Sequence, residues 1–169
     1  MRKDYEIILN LIPENSKVLD IGCSDGELIT YLENKGISAQ GVELSQEKVI
    51  KCLEKGLDVI HGDINLIVED FPFNQFDYCL LTQTIQAVQE PDQLLNTLKK
   101  VSKNIIVSFN NSARLSKISN FLLTGSFDSL LKKANSDHWY NTDYIHPCSI
   151  KDFKKLAENL DLKIISTFD

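Results

Sequence analysis

Apolar positions along the chain follow two rhythms that alternate, and that alternation predicts an α/β fold around a parallel sheet. The first rhythm is helical: Tyr5, Ile7, Ile8, Leu11 and Ile12 recur on one face, with Asp4 as a candidate cap and Pro13 as the stop. The second is a short apolar run, Lys17 to Ile21, closed by Gly22 and read as a strand. The pattern then repeats. Leu28, Ile29 and Leu32 mark a helix over 25–35 that Gly36 ends, Ser38 to Leu44 reads as a second strand, and Ser45 is placed to cap a helix that runs to Lys55 before Gly56. Leu57 to His61 is a third strand.

Phe76 to Leu81 is almost unbroken in its apolar character, which suits a central parallel strand buried on both faces. Leu94, Leu95, Leu98 and Val101 define the next helix, starting at Glu90-Pro91-Asp92, and Asn104 to Phe109 a fifth strand. From about 110 to 147 the pattern loosens into polar turns and short helices (118–123 and 130–134), an insertion in an otherwise regular chain. Ser149 and Asp152 form a capping-box pattern for a helix reaching Asn159, and Leu162 to Phe168 reads as a sixth strand. With 169 residues, no internal repeat and no linker composition, one domain over 1–169 is expected.

Charge narrows the partners. Lys and Arg number 18 against 24 acidic residues, a net of −6. That balance argues against nucleic acid and anionic membranes. No apolar run reaches the roughly 18 residues of a membrane span, and the first residues lack a signal-peptide core. Cys23, Cys52, Cys79 and Cys148 form no C-x-x-C pair and read as reduced thiols, so a cytoplasmic protein without a metal site is expected. Between Gly56 and Leu98 every charged residue is acidic, whereas Lys99 to Lys133 carries seven basic residues and one acid, Asp128. Solvated loops explain this polarity; a partner-facing surface around the insertion is the other reading.

The most informative stretch is Val18-Leu-Asp-Ile-Gly-Cys-Ser-Asp-Gly26, which leaves a predicted strand and enters a predicted helix. Glycines there let the backbone turn and approach a ligand. A dinucleotide fingerprint would need glycines at 22, 24 and 27, but the chain has Gly22, Ser24 and Glu27, and no phosphate-loop G-K-[ST] follows. Asp25 and Glu27 on the first helical turn would repel a pyrophosphate, so a cationic or zwitterionic ligand is expected instead. Glu43 lies 21 residues after Gly22, where a carboxylate can accept both ribose hydroxyls; Asp63, 20 residues later, could accept from an adenine amino group. Taken singly, Glu43 could instead cap the next helix and Asp63 could shape the turn after Gly62.

VLDIGCSDG, GVEL and HGDI resemble the first three motifs of the class I S-adenosylmethionine-dependent methyltransferase fold. Downstream, FDYCLLTQTIQAVQEPDQLL, NIIVSFNN and HWYNTDYIHPCSIKDF are similar to the methionine-biosynthesis protein MetW family, so the resemblance covers about residues 17–168. It implies a Rossmann-like fold with a mostly parallel sheet flanked by helices, and S-adenosylmethionine or S-adenosylhomocysteine as cofactor. It further implies a role in methionine biosynthesis beside homoserine O-acyltransferase, either as a methyltransferase of a small, unidentified acceptor or as a non-catalytic partner that activates the acyltransferase.

Carried onto this sequence, the resemblance implies that Asp20, Gly22, Cys23, Ser24 and Gly26 floor the methionine half. Glu43 and Leu44 would hold the ribose side, Asp63 and Ile64 would frame the adenine, and Thr82 and Gln83 would flank the sulfonium. Two departures stand out. Ser24 replaces a glycine usual in the first motif, and the antiparallel seventh strand of the full fold has no counterpart before Asp169. The stretch Thr82 to Gln86 holds no histidine, and no N-P-P-[YFW] is present. Gln83 and Gln86 can orient an acceptor but cannot take its proton. His146 is the accompanying candidate, or else a satisfied turn histidine before the Ser149 cap; His138, Tyr140 and Tyr144 are further candidates, with His138-Trp139-Tyr140 as an aromatic lid, a partner anchor or plain packing, and His61 reads as structural.

Overall fold

In the computed structural model, which describes residues 1–127 and 145–168, the predicted alternation becomes a five-stranded sheet. Its strands are β1 (Lys17–Ile21), β2 (Ser38–Glu43), β3 (Val59–His61), β4 (Phe76–Thr82) and β5 (Ser102–Ser108). All pair in parallel in the order β3-β2-β1-β4-β5. Helix α1 (Lys3–Leu11) precedes β1, and between the strands lie α2 (Glu27–Asn34), α3 (Gln46–Glu54), a single turn α4 (Ile64–Ile67) and α5 (Pro91–Val101). Two more follow, α6 (Leu115–Thr124) and α7 (Ile150–Asn159).

Contacts within the described residues gather into two units. The first takes in Met1–Thr84 and Gln93–Ser108, and the second the described parts of Ile85–Asp92 and Phe109–Asp169.

The core of the first unit follows from the sequence rhythm. Val18, Leu19, Leu80 and Leu81 on the central strands and Leu28, Ile29 and Leu32 on α2 are fully buried, and Val18, Leu80 and the three α2 residues share one cluster with Ile8 and Ile12. Each such side chain contributes about 1.5–3 kcal/mol of transfer free energy. Gly36 and Gly56 stop α2 and α3 in the left-handed conformation expected of them (φ +76° and +75°). Lys35 Nζ donates to the carbonyls of Leu9 and Ile12, satisfying the C-terminal end of α1 from the end of α2.

In the second unit, α7 carries the full capping box: Ser149 Oγ accepts from the Asp152 amide, and Asp152 accepts from the Ser149 amide at 3.1 Å. Phe109 and Phe153 meet at 5.3 Å between ring centroids.

Three expectations are corrected. Asp4 does not cap α1; Arg2 holds the N-cap position without a side-chain bond, and Asp4 instead pairs with Arg2 at 2.6 Å and accepts from Ser108 Oγ. Ser45 does sit at the N-cap of α3, but its side chain makes no capping bond. The run Leu162 to Phe168 is not a strand. An apolar run becomes a strand only when a ladder supplies its backbone partners, and no described segment pairs with it; Ile165 is 82% exposed. The proposed helix at 130–134 lies outside the described residues.

Candidate functional site

The strand order reverses between β1 and β4: β1 leads on to β2 and β3 on one side, and β4 to β5 on the other. In open parallel sheets the crevice beyond the C-terminal ends of the strands at such a point is where ligands bind. The predicted residues converge there. Asp20 lies near the end of β1 and the turn Gly22–Gly26 follows it; Glu43 ends β2 with Leu44 next, Thr82 ends β4, and Gln83 comes after.

The turn from β1 into α2 holds its shape through left-handed residues at alternate positions: Gly22 (φ +72°), Ser24 (+55°) and Gly26 (+76°). Ser24 thus adopts the conformation that the usual glycine would take more readily. Four side chains clamp the turn. Glu43 Oε2 accepts from the Ser24 amide at 2.8 Å, while its Oε1 accepts from the Ser45 amide at 2.9 Å. Cys52 Sγ donates to the Ser24 carbonyl at 3.3 Å, Lys55 Nζ donates to the Asp25 carbonyl at 2.5 Å, and Thr84 packs on Gly22. Glu43 thus satisfies the amide of Ser45, the N-cap residue of α3, so one carboxylate serves both the helix and the turn.

Beneath the turn, Asp20 is 1% exposed. Thr82 Oγ1 donates to its Oδ1 at a long 3.5 Å, and its Oδ2 has no partner among the described residues. Burial pushes this carboxyl up to about 7, against the Thr82 hydrogen bond and the Arg2 charge, which pull it down; the nearby Glu43 charge adds to the rise. Cys23 is buried beside it, and burial raises its thiol well above the ordinary range, so it packs rather than reacts.

Asp63 and Ile64 sit after β3, next to the end of β2, where the Gly62 amide donates to the Glu43 carbonyl. Asp63 caps α4: its Oδ1 accepts from the amide and the side chain of Asn65. Its Oδ2 accepts no bond among the described residues. Ile64 is buried, whereas Leu44 is 66% exposed and offers an apolar face next to Glu43. His61 Nε2 meets the Leu44 carbonyl at 3.0 Å, in keeping with a structural role.

Gln86 and His146 belong to the second unit, and there they meet. Gln86 is 2% exposed, and both ends of its amide are engaged: Oε1 accepts from the Asn110 amide, and Nε2 donates to the carbonyls of Asn110 and His146. Its own carbonyl accepts from the amides of Ile145 and His146. His146 Nε2 lies 3.1 Å from the Gln89 carbonyl. A carbonyl only accepts, so Nε2 carries hydrogen and Nδ1 holds the lone pair in the neutral ring. His138, Trp139, Tyr140 and Tyr144 lie outside the described residues.

Sequence reading missed two residues of the crevice. Gly41 lies on β2 opposite Asp20, and a Cβ there would fall 2.6 Å from Cys23 Sγ and 2.7 Å from Ile29 Cδ1. A glycine inside a strand pattern is the signal that could have found it. Thr84, which reaches 63 residues back along the chain to the Ile21 carbonyl, left no such signal.

The crevice fits the cofactor expected from the sequence on two observations: a buried acid with an orphaned oxygen under a glycine turn, and a strand-end carboxylate beside an exposed leucine. Among the described residues no helix is long and apolar enough to cross a membrane.

Comparison with known proteins agrees with this geometry. The family model described as "Methionine biosynthesis protein MetW" matches residues 2–168. A bifunctional methionine biosynthesis protein MetXA/MetW of Rhodopirellula baltica is 32% identical over 170 residues, 95% of this chain and 27% of that protein. The chain spans less than half the length of the curated relatives it matches. Among solved structures, a SAM-dependent methyltransferase from Archaeoglobus fulgidus superposes with a TM-score of 0.67 at 20% identity, covering 92% of this chain and 68% of that one. One from Methanosarcina mazei gives 0.69 at 17%, covering 91% and 82%. At such identities the structural likeness speaks for the fold, a Rossmann-like class I methyltransferase fold. The family match spans nearly the whole chain, and on it this protein belongs to the methionine biosynthesis protein MetW family.

Proposed function

We propose that the chain binds S-adenosylmethionine and S-adenosylhomocysteine in the crevice at the ends of β1, β2 and β4, and transfers a methyl group to a small acceptor in methionine biosynthesis. The observation that carries this reading is Asp20, a fully buried carboxylate with an unpartnered oxygen directly under the glycine turn. A buried charge without a partner is costly. A ligand ammonium seated over the turn would supply the missing countercharge, through its field or through a bridging water.

Glu43 would take the ribose hydroxyls while keeping the Ser24 amide, since a carboxylate has about four lone-pair sites. Leu44 would pack on the adenine, with Asp63 Oδ2 as acceptor for its amino group and Ile64 behind it. When bound, S-adenosylmethionine supplies an activated methyl group on its sulfonium. Thr82 and Gln83 would flank that centre. Of Gln83, Gln86 and His146, the residues read from sequence as orienting an acceptor, only His146 can accept a proton, at Nδ1. Gln86 acts by positioning backbone, because its amide is already engaged.

A homoserine O-acyltransferase is the partner proposed for this chain. The relative from Rhodopirellula baltica joins MetXA and MetW in one polypeptide, which supports that pairing.

Equilibrium dialysis of labelled S-adenosylmethionine at pH 8 tests the reading. One saturable site is expected, weakened at least about tenfold in Asp20→Asn, the loss of one charge-assisted contact. Equal binding by the two proteins would contradict it.

A further inference from the structure

The ladder between β1 and β4 runs Val18↔Tyr78, Leu19↔Cys79 and Asp20↔Leu80 and goes no further. Past Asp20↔Leu80 no further residues of the two strands are paired, and the crevice opens. The Thr84 side chain bridges the opening. Thr84 Oγ1 lies 3.0 Å from the Ile21 carbonyl, the last of β1, and 3.2 Å from the Thr82 carbonyl, the last of β4. Its single hydrogen serves these two acceptors.

The same residue fills the place where a side chain at position 22 would stand. A Cβ on Gly22 would lie 2.7 Å from Thr84 Oγ1 and 2.9 Å from Thr84 Cγ2. Gly22 therefore answers to two demands, its left-handed φ and the Thr84 side chain pressed against it. Thr84 follows Gln83, whose φ of +60° is unusual for a glutamine and turns the chain sharply off the end of β4. That turn delivers the hydroxyl to β1.

We infer that Thr84 is a positioning residue for the cofactor: its hydroxyl latches the loop after β4 to the root of the Gly22 turn and sets where that turn sits over Asp20. The inference rests on the proposed cofactor reading. Displacement of a positioning element by about 1 Å can forfeit orders of magnitude in a site that depends on alignment, so a latch at the root of the turn has leverage on everything the turn holds.

Two conservative variants separate the hydroxyl from the packing. Thr84→Val keeps the shape against Gly22 and removes the hydrogen bond; Thr84→Ser keeps the bond and removes the methyl. Titration of S-adenosylhomocysteine should show Val weakened about tenfold, the size of one buried hydrogen bond with its carbonyl stranded, and Ser within about twofold of the parent. Amide hydrogen exchange without ligand reads the latch itself. The Gly22 and Cys23 amides, both donating to the Val42 carbonyl, should exchange about tenfold faster in Val, with the Leu80 amide unchanged.

If Val binds as the parent does and Ser does not, Thr84 is packing alone and the inference is overturned. Unchanged exchange at Gly22 in Val also overturns it. If the parent protein binds no S-adenosylhomocysteine, the cofactor reading fails and the positioning role falls with it, while faster exchange in Val would show that the latch exists in the ligand-free fold.

Discussion

The amide of Ser24 donates to Glu43 Oε2 across 2.8 Å, joining the glycine turn after β1 to the end of β2. The other oxygen of the same carboxylate holds the amide of Ser45, the N-cap residue of the helix that follows. A residue read from sequence as a ribose acceptor is thus also the clasp of the turn. Glu43→Gln should disturb both tasks, because its amide nitrogen would face one of two backbone donors. Stability should fall by about 1–3 kcal/mol, the range for a buried donor left unsatisfied. Urea unfolding monitored by circular dichroism checks this, with a lower midpoint and an unchanged slope expected.

Ser24 makes the clasp with its backbone, not its side chain, while holding a left-handed φ of +55°. Ser24→Gly should therefore raise stability by about 1 kcal/mol, the strain an L-residue carries there, and leave S-adenosylhomocysteine affinity within about twofold. A large loss of binding in this variant would show that the hydroxyl itself touches the ligand.

Asp20 ties stability to pH with a definite sign. Its carboxyl titrates near 7 in the fold against 3.8 for the ordinary side chain, so the folded state holds the proton more tightly. The stability this confers is complete below about pH 4 and is lost as pH rises through about 7. Relative to Asp20→Asn, the parent protein should lose a few kcal/mol between pH 4 and pH 8, since a tenfold change in proton binding is worth roughly 1.4 kcal/mol. Urea midpoints of the two proteins measured across that range should converge in acid and separate at alkaline pH. A ligand cation over the turn favours the ionised form, so S-adenosylhomocysteine affinity should rise with pH up to about 7.

Gly41→Ala probes the support under the turn. Its new methyl would collide with Cys23 Sγ and Ile29 Cδ1. The expected loss is about 1–3 kcal/mol, the usual range for overpacking a filled core, and a thermal melt reads it directly.

These residues also show what the sequence could tell. The strand-turn-helix at Lys17–Asn34, the acid at the end of β2 and the glycine stops at 36 and 56 were legible because each depends on neighbours in the chain. The parallel pairing of the strands followed from their alternation with helices, but their order in the sheet did not. Thr84 was not legible, since its partners Ile21 and Gly22 lie more than sixty residues away. Neither was the start of α3, where Ser45 occupies the cap position without a side-chain bond and its own amide donates to Glu43.

The apolar run at 162–168 misled for the opposite reason. Its pattern is local, but a strand needs a partner. Gln86 was legible as a polar residue after β4 but not as the tie that holds Asn110 and His146, because an amide's use depends on what the fold brings to it.

The central claim is that the Asp20–Glu43 crevice binds an adenosyl amino acid, and calorimetric titration of S-adenosylhomocysteine into the protein at pH 8, beside Glu43→Ala, tests it most directly. One saturable site in the parent protein, lost in a variant still folded by circular dichroism, is the predicted result. No binding by the folded parent protein, or equal binding by Glu43→Ala, would contradict it.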